Sequence, residues 1–303
     1  MLSHHAVMPQ MPSRVVVLGG SGCVGRAVVR QLQVQETEAI PVSSRDVDLC
    51  AAEAVAGLHR IIRPGDALVI AAAITPDHGK DSGTLLSNLS MGQHVSAFLR
   101  QAALAHVIYI SSDAVYDERA GLIQEATPTA PASFHGLMHL VRERMLLDVL
   151  RGSHVPLAIL RPTLLYGADD THNGYGPNRF LRSALTSGTI TLFGDGEERR
   201  DHLFVTDLAR LISLCLMAQS DGILNVATGH AVSFAEVARL IAEVSGEDIR
   251  IERSARSAPV THRHFETAEL VRAFPSFRCT PLRLGLAETR QALRGDVLEA
   301  KRA

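Results

Sequence analysis

The chain has 303 residues, 46% hydrophobic and 20% charged, enough for one large domain or one and a half smaller ones around a real core. A formal net charge of −2 with no basic stripe argues against nucleic acid as a partner, and no apolar run reaches the length of a membrane span. Four widely spaced cysteines (Cys23, Cys50, Cys215, Cys279) form neither a Cys-x-x-Cys pair nor a zinc spacing, and read as reduced packing thiols of a cytoplasmic protein.

Met1 to Ser13 has two prolines and no apolar signal core, and reads as a disordered leader. Val15 to Leu18 is a short β-branched run, a strand, and Cys23 to Val34 carries apolar residues at helical spacing. A strand at Ala39 to Ser43, a helix at Ala51 to Ile62 and a third strand at Ala67 to Ile70 follow. Next come a long helix at Leu85 to Ala105, a strand at Val107 to Ile110, a helix at Ser133 to Leu150 and a fifth strand at Val155 to Leu160. Strands without polar alternation, each followed by a helix, predict an α/β fold: a doubly wound parallel sheet of Rossmann type. After Tyr166 the pattern loosens. The stretch 168–177 is rich in Gly, Asp and Asn and reads as a loop, followed by a helix at Asn178 to Ser187 and a strand at Thr189 to Phe193. His202 to Val205 and Ile223 to Val226 read as strands, Phe234 to Ser245 and Leu282 to Leu293 as helices. The expected division is a nucleotide-binding domain at 13–165, with segments near 202–228 returning to it, and a smaller substrate-binding lobe from 166–201 and 229–295.

Gly19-Gly20-Ser21-Gly22-Cys23-Val24-Gly25 lies between the first strand and the first helix. Glycines there permit a tight turn and close backbone approach to a pyrophosphate, and the helix N-terminus faces the negative charge. The expected cofactor is therefore NAD or NADP, with Gly19, Gly22, Cys23, Val24 and Gly25 around the phosphates. The second strand runs into Ser43-Ser44-Arg45 rather than into an acid. Ser44 and Arg45 favour the 2′-phosphate of NADP, the other reading being a solvated loop arginine, while Asp48 and Leu49 are placed beside the adenine.

With this turn, several later segments resemble the extended short-chain dehydrogenase/reductase family, the NAD(P)-dependent nucleotide-sugar epimerases, dehydratases and reductases. They are Ala71-Ala72-Ala73, Ser111-Ser112-Asp113-Ala114-Val115-Tyr116, Arg161-Pro162-Thr163-Leu164-Leu165-Tyr166-Gly167, the run from Phe193 to Asp201, and Asn225 to Gly229. The resemblance runs from about Arg14 to Leu293. It implies a cofactor wall that includes Ala71, Ala72, Ala73, Ser111, Pro162 and Leu164, with Ser112 hydrogen-bonding the substrate oxygen. It also implies a nucleotide sugar as the bound partner, near Asp113, Asn178, Arg200 and Arg263, and a homodimer through helices that include the one starting near Ser133. Arg200 either grips the diphosphate or forms an ion pair with Asp201 or Asp207.

The chain departs from the family at its catalytic Tyr-x-x-x-Lys. Alignment on Gly136 and Glu143 puts His135 at the tyrosine position and His139 at the lysine position. Lys80 and Lys301 are the only lysines, and neither follows a tyrosine at this spacing. Residues i and i+4 of a helix share a face, so both imidazoles can serve one site. With no third ligand evident, a metal is not expected. A histidine, with an unperturbed pKa of about 6.5, can act as acid or base without a lysine. The expectation is a hydride-transferring oxidoreductase or epimerase with His135 as proton donor or acceptor, Ser112 orienting the oxygen and His139 on the ribose. The resemblance further implies that Asp113 and Ala114 stand where the family's 4,6-dehydratases carry adjacent Asp-Glu, so that elimination lacks its base here. The alternatives are a silent NADP-binding sensor or scaffold, and an enzyme acting on a non-sugar ketone or lactone.

Overall fold

The computed structural model describes residues 1–246, 248–257 and 259–300. In chain order its elements are β1 (Ser3–His4), β2 (Arg14–Leu18), α1 (Cys23–Val34), β3 (Glu38–Val42), α2 (Ala54–Ile61), β4 (Ala67–Ile70), α3 (Ser82–Leu99), β5 (His106–Ile110), β6 (Leu122–Ile123), α4 (Phe134–Val149), β7 (Leu157–Pro162) and β8 (Leu164–Tyr166). The second half adds α5 (Pro177–Ser187), β9 (Thr189–Phe193), β10 (Arg199–Phe204), α6 (Val205–Ala218), β11 (Ser220–Val226), β12 (Ala231–Ser233), α7 (Phe234–Ser245), β13 (Arg250–Ser254), β14 (His264–Phe265), α8 (Ala268–Ala273) and α9 (Leu282–Ala300).

The main sheet has seven strands in the order β1-β11-β7-β5-β4-β2-β3. All neighbours run parallel except β1, which pairs antiparallel with β11. The β-branched runs explain the burial on both faces. In β2, Val15 and Val17 join a core shared with α1 and α6, while Val16 and Leu18 join a second core shared with α2, α3 and α4. Tyr109 of β5 points into that second core. A third core, built around Phe180, Leu192, Phe204, Phe234 and Leu286, holds the smaller lobe together.

Three sequence expectations need correction. The leader is not a free tail: Leu2 is 1% exposed inside the first core, and Ser3 and His4 pair with Asp221 and Ser220. Its backbone occupies the open edge of β11, and His4 hydrogen-bonds Ser220 Oγ and the Ala273 carbonyl at 3.0 Å each. Next, β10 stays out of the main sheet and pairs with β8 and β12; the returning segment is α6–β11. Finally, α3 begins before its apolar pattern does, because Asp81 caps it by accepting from Thr84 N at 2.8 Å.

Candidate active site

The glycine turn is shaped by what a side chain would strike. Gly19 has φ +82°, and a Cβ there would lie 2.7 Å from Ala72 N. A Cβ on Gly25 would lie 2.0 Å from the Gly19 carbonyl oxygen, so α1 packs directly on the turn. Gly19 N and Gly20 N donate to the Val42 carbonyl at 2.9 and 3.1 Å, which ties the turn to the end of β3. Gly22 caps α1 with no side-chain hydrogen bond, and the first turn of the helix holds no acid. The N–H groups at that helix mouth have no intrahelical partner and carry the positive end of the helix dipole. The cradle therefore fits the pyrophosphate of a nicotinamide dinucleotide.

A cleft of about 330 Å³ opens beside the turn. Of the expected residues, Gly19, Gly22, Ser44, Asp48, Leu49, Ala71, Ala72 and Ala73 line it, joined by Ser21, Val47, His78 and Met91, which sequence reasoning missed. Cys23 and Val24 instead pack partly buried against the first core. Burial, with Asp170 and Asp169 nearby, pushes the Cys23 thiol up to about 12. Arg45 stands exposed outside the cleft wall. Asp46 folds back on the same turn, accepting from Ser43 N at 2.8 Å and Ser43 Oγ at 2.7 Å, and these bonds hold its carboxyl below the usual range.

The expected far wall of the cofactor site is built differently. Ser111 is 3% exposed and gives its hydroxyl to Glu143 at 2.5 Å, so it does not face the cleft. Pro162 is buried in β7 opposite Val226, and Leu164 is exposed on β8; neither lines the cleft. Glu143 also takes a two-pronged bond from Arg161 at 2.8 and 2.6 Å. Arg161 donates to Tyr116, which donates to Asn225, both at 2.8 Å. Tyr116 is thus a buried member of a polar network joining the segment after β5 to α4, β7 and β11.

The residues expected to be catalytic lie on or beside α4. Ser112 accepts from Ala114 N at 3.1 Å and caps the single helical turn Asp113–Val115. Gly136 abuts that turn so closely that a Cβ would lie 2.0 Å from the Ala114 carbonyl oxygen, which sets His135 beside the Ser112 segment. His135 lines a second cavity of about 290 Å³ with Lys80, Asn88 and Ser133. The two cavities meet at Ile74. His135 Nδ1 is buried with no hydrogen-bond partner among the described residues. Burial, then the nearby His172, pushes this imidazole down to about 4, so it is neutral at pH 7. His139 lies deeper, 5% exposed, its ring edge-to-face with that of His135 at 4.6 Å and 86°. Its Nδ1 is 2.8 Å from the Tyr109 hydroxyl.

The expected substrate contacts are all engaged within the protein. Asp113 pairs with Arg263 at 3.3 Å, and Arg263 also donates to the Asp113 carbonyl at 2.9 Å. Burial raises the Asp113 carboxyl against the pull of Arg263. Arg200 pairs with Glu198 at 2.5 Å and donates to Thr261 Oγ at 2.8 Å, rather than to Asp201 or Asp207. Asp201 and Asp207 instead accept backbone N–H bonds from Thr228 at 3.0 Å and Thr280 at 2.7 Å. Asn178 accepts from Gly167 N at 3.1 Å and donates to Asp170. The loop 168–177 is strapped over this region: Asp169 pairs with Arg26 and Arg30 of α1, and His172 lies 3.2 Å from Asp77 in the loop after β4.

The model of the NAD dependent epimerase/dehydratase family matches residues 15–227. An uncharacterized UDP-glucose epimerase of Bacillus subtilis is 24% identical over 173 residues, 56% of this chain and 54% of that protein, so that match spans about half of each. The dTDP-4-dehydro-6-deoxy-D-allose reductase of Streptomyces bikiniensis is 25% identical over 91% of this chain and 94% of its own. A GDP-L-fucose synthetase from Naegleria fowleri, solved with NADP, shares the fold with a TM-score of 0.83 at 17% identity, covering 98% of this chain and 99% of that one. No helix among the described residues is long and apolar enough to cross a membrane.

Proposed function

The chain belongs to the NAD dependent epimerase/dehydratase family, and from that premise we propose that it is an NADP(H)-dependent oxidoreductase or epimerase acting on a nucleotide-activated sugar. The observation that carries this reading is the pairing of two cavities. A phosphate-fitting cleft meets, at Ile74, a second cavity walled by His135, whose buried Nδ1 lacks a partner among the described residues. Bound nicotinamide supplies the hydride donor or acceptor. Ser112 and the start of α4, held together at Gly136, orient the reacting oxygen and place His135 beside it. As a neutral imidazole, His135 is ready to accept a proton from a sugar hydroxyl, and to return it when the ketone is reduced. The backbone at the mouth of α1 binds the pyrophosphate; Ser44 lines the cleft, and the exposed Arg45 just outside its wall pairs with a 2′-phosphate. The relatives named above act on or bind molecules with different bases, so none is assigned to this chain.

The test is hydride transfer, followed by NADPH absorbance, over a panel of UDP-, dTDP- and GDP-4-keto-sugars, with His135→Ala alongside. Loss of a general acid/base lowers kcat by about 10²- to 10⁴-fold. Turnover of the variant at the wild-type rate removes His135 from the chemistry, and cofactor binding without turnover of any sugar supports a silent binding protein instead. We also propose a cytoplasmic homodimer through α3 and α4, where Leu86 (66%), Phe134 (44%), Leu137 (37%) and Leu147 (37%) are exposed. Sedimentation of a dimer that Leu86→Asp/Leu137→Asp renders monomeric is the expected result.

A further inference from the structure

His139 occupies the position where the family motif has lysine, yet an imidazole can present either a lone pair or a hydrogen there. Its tautomer therefore decides what the site offers. Tyr109 of β5 is 1% exposed, and its hydroxyl has one hydrogen-bond partner among the described residues, His139 Nδ1 at 2.8 Å. A buried phenol needs an acceptor for its proton. If Nδ1 carried the ring hydrogen, the phenol oxygen would accept it and the phenol's own O–H would be left buried without an acceptor among the described residues. The phenol proton is satisfied only when Tyr109 donates and Nδ1 keeps its lone pair, which leaves the ring hydrogen on Nε2.

We propose that Tyr109 is a positioning residue that locks His139 as the Nε2–H tautomer, so that the place of the missing lysine presents a neutral N–H donor to the cofactor ribose. The ribose contact rests on the function proposed above; the tautomer follows from hydrogen-bond economy in the protein alone. The surroundings keep the ring singly protonated. Arg142, one turn on in α4 and 1% exposed, lies with its guanidinium 5.2 Å over the Tyr109 ring and forms no ion pair among the described residues. Its Nη1 donates to the Ala72 carbonyl at 2.9 Å, so this cation sits beneath the floor of the dinucleotide cleft. The neighbouring carboxylate, Glu143, is committed to Arg161 and Ser111. His135, packed on the other side of the ring, is neutral as well. A second proton on His139 would thus face a buried guanidinium with no free carboxylate to offset it. The positive charge that the family's lysine supplies is present here in a different place, on Arg142 over the Tyr109 ring instead of on residue 139.

The experiment is a long-range proton–nitrogen correlation spectrum of the full-length, cofactor-free protein labelled at histidine, with His139 assigned by difference against His139→Gln. The expected wild-type result is a protonated Nε2 and an unprotonated Nδ1. In Tyr109→Phe, which keeps the ring packing and removes the hydroxyl, the two tautomers mix. Fluorescence titration with NADPH then gives the functional half. Tyr109→Phe raises Kd about tenfold in the wild-type background and leaves it unchanged in His139→Gln, because the hydroxyl acts only through His139. A wild-type spectrum with the hydrogen on Nδ1, or one that Tyr109→Phe leaves unaltered, overturns the tautomer assignment. Equal weakening of NADPH in both backgrounds reduces Tyr109 to a packing residue and overturns its positioning role. If the wild type binds neither NADPH nor NADH while the spectrum stands, the functional reading and the ribose contact fail, and the tautomer assignment survives them.

Discussion

Gly25→Ala separates cofactor binding from folding. The backbone at Gly25 is helical, and alanine favours a helix over glycine by about 1 kcal/mol, so local propensity predicts a small gain in stability. Packing predicts the opposite for the site. The new Cβ would stand 2.0 Å from the Gly19 carbonyl oxygen and 2.7 Å from Gly20 Cα, separations that real Cβ atoms essentially never show. Both neighbours are backbone, so α1 must retreat from the turn by about 1.4 Å to restore ordinary contact. A retreat of that size breaks the alignment of the helix-mouth N–H groups with the turn. Hydrogen bonds to a charged group contribute about 1.5–3 kcal/mol each, and losing one weakens NADPH by that amount, or about 10- to 150-fold in Kd. The assay is NADPH fluorescence titration with thermal unfolding in parallel. Gly121→Ala is the control, since a Cβ there meets nothing within 4 Å. An unchanged Kd for Gly25→Ala at an unchanged Tm would refute the claim that this turn grips the pyrophosphate.

Three further outcomes are expected. Arg45→Ala weakens NADP⁺ by about tenfold and leaves NAD⁺ unaltered, as for an exposed guanidinium pairing with one phosphate; equal effects on both cofactors in competition titrations would mean a solvated arginine. Glu143→Leu strands Arg161, 3% exposed, without its two-pronged partner and lowers stability in urea by about 3–5 kcal/mol, most of which Glu143→Leu/Arg161→Met recovers; a single variant within about 1 kcal/mol of wild type would show that the network carries no strain of charge burial. Burial holds His106 and His135 at about 4 and His202 at about 3, so the unfolded chain takes up protons near pH 6.5 that the folded chain refuses. Stability is therefore full above about pH 6.5 and falls as pH drops toward 4, by at most about 1.4 kcal/mol per pH unit for each histidine. Urea midpoints at pH 7.5 and 5.0 measure the fall, and a slope that His106→Gln leaves unaltered would exclude that residue.

What the sequence determined by itself was everything governed by short-range pattern. The mainly apolar runs of β2, β4, β5 and β7, which show no polar alternation, fit central parallel strands buried on both faces, and the glycines at 19, 22 and 25 fit a turn that a backbone or a phosphate approaches closely. The replacement at the Tyr-x-x-x-Lys positions was equally plain, because a chain with two lysines has none to put there. Tertiary structure decided which polar groups find each other. Ser111, Asp113, Asn178, Arg200 and Arg263 have residue types suited to a ligand, yet each meets a partner inside the protein that lies far off in the chain or on another element. The leader carries no pattern of its own and is ordered by the unpaired edge of β11. Tyr109 looked like one more apolar strand residue until α4 packed His139 against its hydroxyl. A hydrogen bond between residues on separate elements depends on angles and distances fixed only by packing, whereas periodicity and backbone sterics act within a few residues and can be read along the chain.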